Sequence, residues 1–299
     1  MDLPKVGIIG LGVMGGGICQ RLLDCQIPLT GLDISPERVA FFNEKGLQPA
    51  STPSQVVANS DFVILSLNHS DIVENVVFGP EGVAEAGSSE KMIIDMSSID
   101  PERTRDMAEK LRDQTGMAWV DAPLSGGVPA VATGNLAVFA GGLVEDYEKS
   151  REVMAHLAVN YTHMGPQGAG QTTKLINQVL CACNFAVVAE ATWLALKGGV
   201  AADRIPAALA GGRADSSIMQ EYMAKIAAKD LSPTGRLDNM LKDLRMVQSF
   251  ADKAEAVMPI TGLVTEIHRQ LCANGWGSED NAAILQFFEG STNKRDNDL

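Results

Sequence analysis

Lys5-Val6-Gly7-Ile8-Ile9-Gly10-Leu11-Gly12-Val13-Met14-Gly15 is an apolar run that breaks into glycines at the spacing G-x-G-x-x-G and passes straight into a helical pattern, Met14–Cys25. Glycines so placed allow a tight turn at Gly10, a close approach of an anionic group to the backbone at Gly12, and close helix–strand packing at Gly15. The helix that follows turns its unpaired N–H groups and positive dipole end to the same spot, so Gly10, Leu11, Gly12, Val13, Met14 and Gly15 form a candidate pyrophosphate cradle. Asp33 closes the next apolar run, Leu29–Asp33, about 20 residues on, where a carboxylate accepts hydrogen bonds from a ribose 2′-hydroxyl. The same charge repels a 2′-phosphate, and Ile34 and Ser35 supply no arginine to neutralise one, so NAD is favoured over NADP. The alternative for Asp33 is a cap on the helix that begins near Ser35.

Outward from this stretch, short strand-like runs alternate with longer helical patterns, which is how a parallel sheet with crossover helices is written. Strands are expected at Lys5–Ile9, Leu29–Asp33, Phe62–Leu67, Met92–Asp95, Ala118–Asp121, Leu136–Ala140 and Tyr161–Met164, with helices at Met14–Cys25, Ser35–Lys45 and Pro101–Asp113. From Gly168 the strands stop, and an apolar helical stretch runs from Gln171 to Leu196 and ends at Gly198-Gly199. Further helices are expected at Asp203–Leu209, Ser217–Ala228, Asn239–Ala254, Pro259–Ala273 and Ser278–Phe288, followed by a polar, fraying tail, Thr292–Leu299. The fold class is therefore α/β: a doubly wound, Rossmann-type dinucleotide domain over 1–167 and an all-α domain over 168–299, joined by the long helix.

Composition narrows the function classes. The chain has 299 residues, 45% of them apolar, which is enough to bury sizeable cores. A net charge of −13 without a Lys/Arg cluster argues against nucleic acid, and a small anionic substrate must then be held by local donors. The five cysteines are scattered and the four histidines lack ligand spacing, so no disulfide framework and no bound metal are expected. The start of the chain lacks a basic, cleavable leader and no apolar run approaches about 18 residues, so a cytoplasmic protein without a membrane segment is expected, or an organellar one lacking its transit peptide.

Two further segments have chemical potential. Asp121-Ala122-Pro123-Leu124-Ser125-Gly126-Gly127 follows a strand end, where ligands bind in open α/β sheets. Ser125 and the amides of Gly126 and Gly127 can form a donor nest for a carboxylate, although a plain tight turn would read the same way. In Gln171-Thr172-Thr173-Lys174-Leu175-Ile176-Asn177-Gln178, helical offsets of three and four put Lys174, Asn177 and Gln178 on one face. A desolvated lysine has a lowered pKa suited to acid/base work, whereas a lysine reaching to the surface has none.

Taken together, these motifs resemble the β-hydroxyacid dehydrogenase family, which includes 3-hydroxyisobutyrate dehydrogenase, tartronate semialdehyde (2-hydroxy-3-oxopropionate) reductase and, more distantly, 6-phosphogluconate dehydrogenase. The resemblance covers nearly the whole chain in the family's order: the loop Gly10 to Gly15, the DAP-x-SGG signature at Asp121 to Gly127 continued by Gly134-Asn135-Leu136 and Gly141-Gly142, the helix from Gly168-Ala169-Gly170 through Lys174 to Gln178, and the late KDL motif Leu241-Lys242-Asp243-Leu244. It implies hydride transfer between NAD(H) and the hydroxyl-bearing carbon of a small β-hydroxy acid, with Lys174 as the catalytic acid/base. It also implies that Ser125, Gly126 and Gly127 bind the substrate carboxylate, aided by Asn177 and Gln178, and that Lys242 lies near both nicotinamide and substrate. Asp95-Met96-Ser97-Ser98 is similar to the family's D-M-S-[ST] segment, which puts Ser97 beside the nicotinamide.

Two departures stand out. Leu67-Asn68 occupies the cofactor-contacting place where the family usually has Leu-Pro, and Asn177-Gln178 replaces the commoner Asn-Asn, as in tartronate semialdehyde reductase-like members. Gln keeps the amide donor and acceptor and adds one methylene. Arg213, in a stretch the family turns toward substrate, can grip a second carboxylate or remain a solvated helix-end residue. The resemblance further implies a homodimer or homotetramer associating through the α-domain. The rival readings are a non-catalytic dinucleotide-binding scaffold, which could dispense with Lys174, and an imine reductase on the same fold, whose members generally replace that lysine.

Overall fold

The computed structural model describes residues 3–290, so the expected tail Thr292–Leu299 lies outside the described residues. The chain separates into two compact units, the first ending at Lys174 and the second starting at Leu175. The first unit alternates strands and helices: β1 (Val6–Ile9), α1 (Val13–Asp24), β2 (Leu29–Leu32), α2 (Pro36–Asn43), β3 (Gln48–Pro49), α3 (Pro53–Ala58), β4 (Phe62–Leu65), α4 (Ser70–Phe78), β5 (Met92–Asp95), α5 (Pro101–Thr115), β6 (Ala118–Asp121), β7 (Leu124–Ser125), α6 (Gly127–Thr133), β8 (Leu136–Gly141), α7 (Val144–Met154), β9 (Ala158–Gly165) and the start of α8 (Ala169–Lys197). The sheet order is β3-β2-β1-β4-β5-β6-β8-β7, with β9 beside β8.

The five strands from β2 to β6 in that order are parallel, and one cross-strand row at their carboxyl ends runs Leu32, Ile9, Leu65, Asp95, Asp121. The order reverses at β1 and β4, which opens a crevice beyond that row. β1, β4, β5 and β6 are buried at every position, because helices cover both faces and the strands read as unbroken apolar runs. On one face Ile8, Ile64 and Ile94 pack with Ile18, Leu22, Val131 and Val153 from α1, α6 and α7. On the other, Ile9, Val63 and Ile93 pack with Val57, Val73, Met107 and Leu111 from α3, α4 and α5.

Helices α3, α4, α6 and α7 are additional to those expected from sequence, as are the two-residue strands β3 and β7. Helices α3 and α6, of six and seven residues, leave little periodicity to detect, although α3 carries a readable start: Thr52 caps it by accepting from Gln55 N, and Pro53 sits at its first turn.

In the second unit, α8 is followed by α9 (Ile205–Leu209), α10 (Ser217–Ala227), α11 (Leu237–Lys253), α12 (Pro259–Leu271) and α13 (Leu285–Glu289). Their core gathers Phe185, Tyr222, Met223, Leu244, Ile267 and Trp276. The helix expected over Ser278–Phe288 is instead a 3-10 turn, Asn281–Ile284, running into α13, because the Asp280 side chain accepts from Ala282 N at 3.0 Å and starts the turn late. By length and composition alone α8 is apolar enough to cross a membrane, contrary to the expectation that no run reaches that size. Part of that apolar surface, including Ala182, Phe185, Ala186 and Ala189, goes into the core of the second unit.

Candidate active site

The glycine loop is shaped by close packing at two of its three glycines and by open space at the third. Gly10 has φ +99°, and a Cβ there would lie 2.3 Å from the Ser66 carbonyl oxygen. A Cβ on Gly15 would lie 1.9 Å from the Gly10 carbonyl oxygen. Gly12 is exposed, a Cβ on it would meet nothing within 4 Å, and it caps α1 without a side-chain bond to the first turn. Uncapped amides beside a backbone with unobstructed access suit a diphosphate.

The Asp33 carboxylate accepts from Leu11 N at 2.5 Å and from Ser35 N at 2.8 Å. Ser35, not Asp33, caps α2, its Oγ accepting from Arg38 N at 3.3 Å. Asp33 thus ties the loop to the end of β2 and retains lone pairs for hydroxyls. Arg38 completes the frame: Nε donates to Leu11 O at 2.8 Å and Nη2 to Gly12 O at 3.2 Å, with its guanidinium over Phe42. The donor set and the open Gly12 face fit an NAD molecule.

Beyond the next strand ends, Leu67 N donates to Ser97 Oγ at 3.0 Å, which brings the segment after β4 onto the turn after β5. Asn68 is exposed and Ser97 is buried. Ser97 N in turn donates to Asp95 Oδ1 at 3.0 Å, while Asp95 Oδ2 is buried without a hydrogen-bond partner. Burial, reinforced by neighbouring Asp121, pushes the Asp95 carboxyl up to about 7 against the bonds from Ser97. Asp121 is also raised by burial, opposed by backbone N–H groups of Gly168, Gln171 and Gly170. Ser125 is half-buried and Gly126 and Gly127 are exposed, with φ +122° and +65°, so the turn before α6 presents its backbone outward. Lys174 is half-buried in the early turns of α8, at the end of this unit.

In the second unit, Asn177 Nδ2 donates to Gln178 Oε1 at 2.8 Å, and Gln178 Nε2 donates to Asp243 Oδ2 at 2.5 Å. Lys242 Nζ lies 3.2 Å from Asp243 Oδ1. The structure therefore joins Asn177, Gln178 and Lys242 through a carboxylate outside the expected set. Arg213 stands apart, exposed in the turn between α9 and α10 that a Gly211 N to Asp215 Oδ2 bond closes at 2.7 Å.

Sequence reasoning missed Arg38, Asp121 as an acceptor, Gln171 and Asp243. The only signals were that Asp243 sits beside Lys242 in the KDL motif and that Arg38 lies on the first turn after Ser35.

A family model described as the NAD binding domain of 6-phosphogluconate dehydrogenase matches residues 5–165. A second, described as NAD-binding of NADP-dependent 3-hydroxyisobutyrate dehydrogenase, matches residues 168–288. Among curated proteins, 2-(hydroxymethyl)glutarate dehydrogenase of Eubacterium barkeri is 32% identical over 96% of this chain and 96% of its own length. The 2-hydroxy-3-oxopropionate reductase of Escherichia coli K12 is 31% identical over 97% of this chain and 99% of its own length. Among solved structures, a 3-hydroxyisobutyrate dehydrogenase of Mycobacterium tuberculosis with L-serine superimposes with a TM-score of 0.87, at 24% identity, over 96% of this chain and 99% of that one.

Proposed function

Since the chain belongs to the β-hydroxyacid dehydrogenase family and is a nicotinamide-dependent, hydride-transferring oxidoreductase, we propose that Lys174 is its acid/base and that its substrate is a small β-hydroxy acid of the 3-hydroxyisobutyrate or tartronate semialdehyde/glycerate type. The observation that carries this reading is a half-buried lysine on the early turns of α8, in the same compact unit as a glycine loop open at Gly12. A lysine amine within hydrogen-bond reach of a substrate hydroxyl can take its proton as general base and return it as general acid.

The outward-facing amides of Gly126 and Gly127 and the Ser125 hydroxyl hold the substrate carboxylate, and Asn177 and Gln178 bind its oxygens. Lys174 Nζ takes the proton of the substrate hydroxyl in the oxidative direction and returns it in the reductive one. Lys242 adds positive charge for the anionic substrate. Nicotinamide, when bound, accepts or supplies the hydride. Gly10 to Gly15 hold the diphosphate, Asp33 the adenosine ribose, and Leu67, Asn68 and Ser97 the run toward nicotinamide. NAD is preferred because Asp33 supplies a carboxylate and the guanidinium that braces the loop from α2, Arg38, is engaged by the carbonyls of Leu11 and Gly12; a 2′-phosphate would meet repulsion without a counter-charge.

The test is turnover of NAD(H) and NADP(H) with a panel of these acids and their semialdehydes, with Lys174→Ala alongside. That variant should bind NADH as the parent does and lose roughly three orders of magnitude or more in kcat. Retained turnover removes the lysine from the mechanism.

The homo-oligomer is assigned to the apolar face of the second unit. Ile176, Leu180, Val187 and Leu194 on α8 are exposed along one stripe, as are Val257, Ile260 and Leu263, and a groove of ≈ 420 Å³ lined by Leu180, Val187, Val257 and Ile260 lies there. Contiguous apolar surface of this kind is typical of a self-association face. Leu180→Glu with Leu194→Glu should convert a dimer or tetramer to a smaller species in light scattering; an unchanged mass places the contact elsewhere.

A further inference from the structure

Asp121 and Gln171 have no role in the reaction as read so far, yet both side chains are almost wholly buried in the sheet unit. The first turn of an α-helix leaves N–H groups without intrahelical partners, and a nearby Ser, Thr, Asp or Asn usually accepts from them. The chain has Gln167 and Gly168 just before α8, and the acceptor comes from β6 instead. Asp121 Oδ1 accepts from Gly168 N at 2.8 Å and from Gln167 Nε2 at 3.0 Å, and Oδ2 accepts from Gln171 N at 2.9 Å. Gln171 makes the next link with both ends of its amide. Nε2 donates to Ser97 O at 2.8 Å and Oε1 accepts from Ile99 N at 3.2 Å.

Two glycines are explained by this arrangement. A Cβ on Gly141 would lie 2.5 Å and 2.7 Å from the two Asp121 oxygens, and one on Gly170 would lie 2.8 Å from Oδ2 and 2.3 Å from the Phe139 carbonyl oxygen. Both must lack a side chain for the carboxylate to reach the helix. Gly168 N, Gln167 Nε2 and Gln171 N all donate to the Asp121 oxygens, the pattern of an acceptor, whereas Asp95 Oδ2 is buried without a hydrogen-bond partner.

We propose that Asp121 and Gln171 are positioning residues for Lys174: they lock the first turn of α8 to the ends of β5 and β6, so that the strand edge carrying the glycine loop also sets the lysine's height and rotation. Lys174 lies three positions beyond Gln171 on the same helical face, so a turn that slips at Gln171 misplaces the amine. This inference rests on Lys174 being the acid/base.

The test uses the full-length protein with Gln171→Met, which keeps the side-chain length and removes both amide bonds, and with Asp121→Asn. Gln171→Met should lower kcat roughly 10- to 100-fold with the NADH dissociation constant held within about threefold, as expected for a misplaced reacting group. In a Lys174→Ala background the same substitution should leave the residual rate unchanged, because no lysine remains to misplace. Undiminished kcat in Gln171→Met, or a full additional loss in that background, overturns the proposal. Amide exchange reads the anchor without turnover: Asp121→Asn should speed exchange over residues 168–173 by about tenfold or more and leave the later turns of α8 unaffected. Equal change in both stretches, or none, also overturns it, and if Asp121→Asn does not fold, Gln171→Met decides alone. Retained turnover in Lys174→Ala refutes the acid/base reading and the anchor's role with it. Abolished turnover there, with undiminished kcat in Gln171→Met, refutes the anchor alone.

Discussion

The two units hold their candidate residues by different means. In the sheet unit the positions are set by backbone: Gly10, Asp33, Ser97 and the Ser125 turn follow within a few residues of the in-register row Leu32, Ile9, Leu65, Asp95, Asp121. In the helical unit they are set by side chains, since Asn177, Gln178 and Lys242 are joined through the Asp243 carboxylate. A backbone-set position tolerates no added atom where the chain is crowded, whereas a side-chain network tolerates a change of shape and fails when a partner is lost.

The largest effect should come from the crowded glycine. Gly15→Ala puts a methyl group 1.9 Å from the Gly10 carbonyl oxygen, so NADH affinity should fall by about 100-fold or more, with a lowered melting temperature. Gly12→Ala separates packing from binding. With nothing within 4 Å of its Cβ, the variant should melt within about 2 °C of the parent and yet bind NADH roughly tenfold more weakly. Parent-like NADH binding in Gly12→Ala would break the assignment of open backbone to the diphosphate.

A smaller effect is expected in the helical unit. Gln178→Met removes the amide from the Asp243 network, and KM for the acid should rise about tenfold while the NADH dissociation constant stays put. Movement of the NADH constant instead would mean the network serves the cofactor.

The smallest effects are on stability, and they have opposite signs in the two units. Asp95 is raised from 3.8 to about 7 chiefly by burial. The folded state therefore keeps a proton that the unfolded state releases, and stability falls as pH rises through that window. His268 is lowered from 6.5 by burial, with Nδ1 bonded to Val264 O at 2.9 Å and Nε2 buried without a partner. The fold favours the neutral ring, so its contribution is present above pH 6.5 and is lost as pH falls below it. Asp95→Asn should flatten the loss of stability as pH rises from 3.8 to about 7, and His268→Gln the loss as pH falls below 6.5, each by at most about 1.4 kcal/mol per pH unit, as read from denaturant midpoints across pH.

What the sequence disclosed follows the same division. Strands β1, β4, β5 and β6 are apolar runs of four residues buried on both faces, and the glycine spacing marks the first turn, so the sheet unit and its loop were legible. Helices such as α3 and α6, of six and seven residues, span fewer than two turns and left no period to find. The membrane-length character of α8 was missed because polar residues such as Asn177, Gln178 and Asn184 interrupt its apolar run. Arg38, Asp243 and Gln171 escaped notice for another reason. Their partners lie 27, 65 and 72 residues away in the chain, and no local pattern encodes a bond across such distances.

Arg38 has a consequence for anyone who would re-engineer cofactor choice. Its guanidinium is part of the scaffolding that gives the glycine loop its form, engaged by two carbonyls before any ligand arrives. Neutralising position 33 would lift the repulsion against a phosphorylated ribose without providing a cation to receive it. A conversion needs two exchanges, a neutral residue at 33 and a newly introduced arginine at 34 or 35, because recruiting Arg38 would dismantle the loop that the phosphorylated cofactor must still occupy.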